Sequence, residues 1–197
     1  MRLAVHAGTR GQADEARRLI ALVRKMTDGL DLPVLEAQSL STLGSLAENA
    51  GELEEALALY QQSVEVAAAC GFTLWETWQQ TSVAEIGLRL GRYDAAETAA
   101  RVALEKAWRQ GDRRIGVYAL ALLALTALKR GDPQRAGQLW GAITEEDELG
   151  HILSTNDEFL RLIAPLRAST EPELARGVEL SRSSSLEAAV ALGLTQA

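Results

Sequence analysis

Apolar positions along this chain return at helical spacing. Over residues 13–28, Ala16, Leu19, Ile20 and Val23 fall on one face of a helix. The same periodicity predicts helices at about 34–49, 52–69, 74–90, 92–109, 113–130 and 133–145. Shorter ones are expected at 157–168, 170–181 and 186–193. No stretch reads convincingly as a strand. The breaks have the chemistry of helix ends: Asp28-Gly29-Leu30-Asp31-Leu32-Pro33, Cys70-Gly71 and Gln110-Gly111-Asp112. Thr73 to Glu76 has the spacing of a capping box. Asp132 is placed to cap a helix that opens with Pro133, and Ser184-Ser185 to cap the last one.

The pattern repeats. Gly11, Gly51, Gly91 and Gly131 lie forty residues apart, and Ala16, Ala56, Ala96 and Ala136 each follow by five. Such a glycine closes a helix by turning left-handed, and the alanine lets two helix backbones cross closely. A stack of antiparallel helix pairs over residues 1–144 is therefore expected. Residues 145–197 break the period and are expected to be C-terminal capping helices of the same domain. Leu3 and Ala4 keep the register of a first helix that lacks its opening turns. The N-terminal edge is thus expected to carry uncovered apolar surface, which suits an upstream domain or a homodimer.

Composition narrows the function. The chain has 197 residues, 47% of them hydrophobic, and only four prolines, so a large helical core is affordable. The net charge of −7 argues against direct binding of nucleic acid or of an anionic membrane. No apolar run approaches the roughly 20 residues of a membrane span. Cys70 is the one cysteine, so no disulfide framework exists and a reducing, cytoplasmic setting is expected.

The corners also carry a resemblance. Leu53, Tyr93 and Pro133 follow their glycines by two residues, and Tyr60, Ala100 and Trp140 follow by nine. This resembles the tetratricopeptide repeat, although the helices here run about one turn longer. The stretch from Arg130 to Ala142 and the later Ser185 to Leu192 are similar to the end of the helical sensor region of MalT-like, LuxR-type, ATP-dependent bacterial transcription regulators. The resemblance implies an all-α, right-handed superhelix and a non-enzymatic binding or sensor module. Its partner would be a protein or peptide, or a small-molecule effector. A free-standing scaffold or adaptor is the alternative. No phosphate-binding Gly-x-x-x-x-Gly-Lys-Ser/Thr loop and no basic recognition helix accompany it.

In tetratricopeptide proteins the first helix of each pair lines a concave groove. Carried over residue by residue, the groove comprises Gln38, Ser41, Ser45, Glu48 and Asn49, then Trp78, Thr81, Glu85 and Arg89, then Tyr118, Ala121, Leu125 and Lys129. The Asn and Lys clamp that holds a peptide carboxylate in some members is not matched, because Ser41 and Ser45 stand there. Catalytic and metal chemistry have little to rest on. His6 and His151 lack ligand-spaced neighbours, and His151 with Ser154 sits in no nucleophile elbow. Glu145 to Glu148 read as a solvated helix end and Cys70 as a packed residue. No cofactor and no metal are expected.

Overall fold

The structure, a computed structural model, describes residues 13–144, 157–168 and 171–195. Those residues form helices and turns, with no strand among them. In order the helices are α1 (Ala13–Met26), α2 (Pro33–Asn49), α3 (Leu53–Ala69), α4 (Thr73–Arg89), α5 (Tyr93–Gln110), α6 (Arg113–Lys129), α7 (Pro133–Gly141), α8 (Asp157–Ala168), α9 (Pro172–Ser181) and α10 (Leu186–Leu194). Two compact units result, one ending at Leu90 and the other beginning at Gly91. Gly11, the histidines, Ser154, Leu3, Ala4 and the Glu145–Glu148 run lie outside the described residues.

The corners recur at half the expected interval. Gly51, Gly71, Gly91, Gly111 and Gly131 all turn left-handed, with φ between 70° and 83°. Every helix from α2 to α6 therefore ends on the same device, twenty residues apart. An L-residue is strained there even though open space surrounds a Cβ at these corners. The four alanines Ala16, Ala56, Ala96 and Ala136 are all fully buried, as their period predicts.

In the first unit α1 packs on α2, α2 on α3 and α3 on α4. Short connections force each neighbour to run back antiparallel. Ala16 and Ile20 of α1 meet Leu46 of α2. Polar groups in this core are satisfied locally: Ser63 Oγ donates to the Ala37 carbonyl across α2 and α3 at 2.7 Å. Ser39 and Thr42 donate to carbonyls one turn back.

The second unit is built around α6. Residues Ile115 to Ala127 are buried almost all round, apart from half-buried Tyr118. A helix apolar on every side needs partners on every side. Here α5, α7, α8 and α10 supply them. Helices α7 and α9 approach so closely that a Cβ on Gly137 would stand 2.1 Å from the Leu174 carbonyl oxygen.

Two sequence expectations are corrected. Thr73 does not cap α4; it lies inside the helix, and its hydroxyl donates to the Gly71 carbonyl at 3.2 Å. The left-handed glycine two residues earlier already sets the entry into α4, leaving no capping role for the hydroxyl. Helix α7 ends at Gly141 rather than 145. The caps expected at Asp132 and Ser185 are present, and Asp112 adds a further one on α6. The Arg135 and Ile115 amides donate to Asp132 and Asp112 at 3.0 Å, and the Ala188 amide donates to Ser185.

Candidate binding surface

Tyr60 organises the polar side of the first unit. Its ring is 3% exposed and lies against Gly44, where a Cβ would meet it at 2.8 Å. Only glycine on α2 leaves room for that ring. Its hydroxyl must then find partners, as buried tyrosines do. It donates to Glu48 Oε2 at 2.8 Å and lies 3.0 Å from Ser45 Oγ. Arg89, from the last turn of α4, donates to Glu48 Oε1 at 2.5 Å. Burial, followed by the charge of Glu48, holds the phenol proton well above the ordinary tyrosine range, and buried Glu85 adds to it. Tyr60 is therefore a fixed donor, and Glu48 a carboxylate held from two sides.

This network links three of the groove residues and ties α2 to α4. Ser45, Glu48 and Arg89 are brought together; Asn49 stands exposed beside them. Gln38 is half-buried near the other end of α2, and Trp78 on α4 is 44% exposed. Tyr118, half-buried, and Lys129, exposed, belong to the second unit. Five expected groove positions are instead buried: Ser41, Thr81, Glu85, Ala121 and Leu125 are 9%, 1%, 8%, 0% and 1% exposed. All but Glu85 are small or apolar side chains mid-helix, over which neighbouring helices close.

In the sequence Tyr60 stands out only as a large residue at a repeat position. Its signal was a phenol on a buried register with Ser45 and Glu48 in the facing turn. On α4, Trp75 Nε1 and Gln79 Oε1 are buried with no hydrogen-bond partner, and Trp75 stacks on Phe72 at 5.7 Å. Each orphan of this kind costs about 1–3 kcal/mol. Cys70 is half-buried, its thiol donating to the Ala67 carbonyl at 3.5 Å.

In the second unit an open hollow of about 520 Å³ is lined by Gly91 to Ala95 and Arg130. Arg130 is engaged there by Asp94, at 3.1 Å, and by Glu97. Elsewhere Arg101 and Arg135 donate to the last carbonyls of α10: Arg101 Nε to Gly193 at 3.4 Å, Arg135 Nη2 to Leu192 at 3.1 Å and to Thr195 at 2.8 Å. Cations at a helix C-terminus satisfy its unpaired carbonyls and its dipole together.

No family model matches the chain, and no curated protein matches it. Among solved structures it is similar to BtubC (BKLC) from P. vanneervenii, with a TM-score of 0.59 at 17% identity. The alignment covers 86% of this chain and 80% of that one. At this identity the likeness concerns the fold.

Proposed function

We propose that this chain is a non-enzymatic binding module built of tetratricopeptide-like helix pairs, the sensor part of a bacterial transcription regulator. It takes a protein or peptide segment on the face formed by α2 and α4. The observation that carries this reading is the recurrence of one left-handed glycine corner every twenty residues, with a fully buried alanine five residues after Gly51, Gly91 and Gly131. A repeat made this way presents equivalent positions of alternate helices side by side, which is how solenoids build binding surfaces.

The surface itself supports a partner more than a reaction. Glu48 is immobilised by Tyr60 and Arg89, with Ser45 and Asn49 exposed beside it, and Trp78 stands exposed nearer the start of α4. Rigid polar groups and an exposed aromatic on the same pair of helices suit recognition. The regulator reading rests on the sequence resemblance of residues 130–142 and 185–192, two segments that meet through the bond from Arg135 to the Leu192 carbonyl.

The test is selection of a random-heptapeptide library on the immobilised full-length chain. Selected peptides should bind saturably, and Trp78→Ala should weaken them by about tenfold, or ~1.4 kcal/mol. Failure to select any peptide, or selected peptides indifferent to Trp78→Ala, would remove this surface from the account.

A further inference from the structure

Between Lys25 and Arg89 the chain carries ten acidic residues and no lysine, arginine or histidine. Helices α2 and α3, and α4 up to its last residue, are therefore free of positive charge. Three residues of α4 stand out within that region. Trp75, Trp78 and Gln79 are spaced i, i+3 and i+4, so they share one face. Trp75 Nε1 is a buried donor with no acceptor, and Gln79 Oε1 a buried acceptor with no donor. Gln79 is 1% exposed, whereas Trp78 beside it is 44% exposed. Native proteins rarely leave such groups unpaired, and an unpaired donor and an unpaired acceptor on residues one helical turn apart ask for a partner that offers both.

An extended peptide offers both. In an extended strand the N–H and C=O of a single residue point to the same edge. We propose that the Trp75–Trp78–Gln79 face is where this surface reads a basic, extended peptide. The peptide C=O accepts from the Trp75 indole N–H, and the N–H of the same residue donates to Gln79 Oε1. The next side chain, a lysine or arginine, lies over Trp78, where the ring face attracts a cation. The ten carboxylates between Lys25 and Arg89, with no cation in that stretch, favour that charge on this unit. Because both orphan atoms are buried in the free chain, the side chains that cover them must move for the peptide to reach them. This inference rests on the binding surface proposed above and names its ligand.

Gln79→Met in the full-length chain tests it, because methionine keeps the length and removes the orphan oxygen. Two readouts are taken together: the melting temperature of the free protein and the affinity for peptides selected from a random-heptapeptide library. The expected result is a melting temperature raised by a few degrees, with peptide affinity reduced roughly tenfold or more. Removing an unpaired polar atom relieves the free state, whereas losing a bond made only in the complex weakens binding. The selected peptides should carry net positive charge, and their affinity should fall as salt rises. A lowered melting temperature with unchanged affinity would show Oε1 already satisfied, by a buried water, and would overturn the proposal. So would selected peptides of neutral or acidic character. If peptides bind and depend on Trp78 but not on Gln79, the binding surface stands and this inference alone falls. If no peptide is selected, both fall.

Discussion

Tyr60 buries a ring and must place a hydroxyl. Replacing it with Phe keeps the ring against Gly44 but leaves Glu48 Oε2 without its donor. Chemical denaturation of Tyr60→Phe should show a loss of about 1–2 kcal/mol. The pH dependence follows from the same residue. An unfolded tyrosine ionises near pH 10, whereas burial and Glu48 hold Tyr60 protonated well above that range. The folded chain thus keeps a proton that the unfolded chain releases. Its contribution is complete below about pH 10 and is lost progressively as the pH rises beyond it. The parent's denaturation midpoint should fall more steeply on the alkaline side than that of Tyr60→Phe; parallel curves would show the phenol to be solvated. Ala96 is a fully buried position on a short side chain. Ala96→Leu should cost roughly 1–3 kcal/mol in the same measurement, and an unchanged midpoint would mean that the crossing is loose.

Helices α7 and α9 cross through small residues at i, i+4 spacing on both partners: Gly137 and Gly141 on one, Gly177 and Ser181 on the other. A Cβ on Gly177 would stand 2.3 Å from the Gln134 carbonyl oxygen, so backbone meets backbone. Gly177→Ala should destabilise the chain by on the order of 3 kcal/mol, since no side chain can move to relieve the clash. Helix α10 is held differently, by Arg101 and Arg135 on its terminal carbonyls. The double variant Arg101→Met, Arg135→Met should speed amide exchange across 186–194 by roughly tenfold, about 1.4 kcal/mol of local opening. Exchange unchanged there would assign its docking to apolar packing alone. Helix existence and order were legible in the chain because glycine corners and apolar periodicity are local signals. The Thr73 cap was misread because the same local pattern is satisfied by the preceding glycine turn. The α7–α9 crossing was not read from the chain, because only the fold brings its small residues together.

At the scale of the molecule, the forty-residue period was legible and its true half, the twenty-residue corner, was in plain view at Gly71 and Gly111. The binding surface was less so. Carrying groove positions over by register put Ser45 and Glu48 one turn apart on α2 and Arg89 at the end of α4, because helix geometry sets that. It could not tell that they would bond to each other, nor that Ser41, Thr81, Glu85, Ala121 and Leu125 would be buried, because burial depends on helices far away in sequence. The unpaired Trp75 and Gln79 were invisible for the same reason. The proposed function requires that the α2 and α4 face meets a partner. Amide hydrogen exchange on the full chain, with and without a peptide selected on it, measures that directly. The account predicts added protection concentrated in residues 38–49 and 75–89. Protection centred instead on the exposed side of α3, around Glu54, Ala58, Gln61 and Glu65, or absent from α2 and α4, would contradict it.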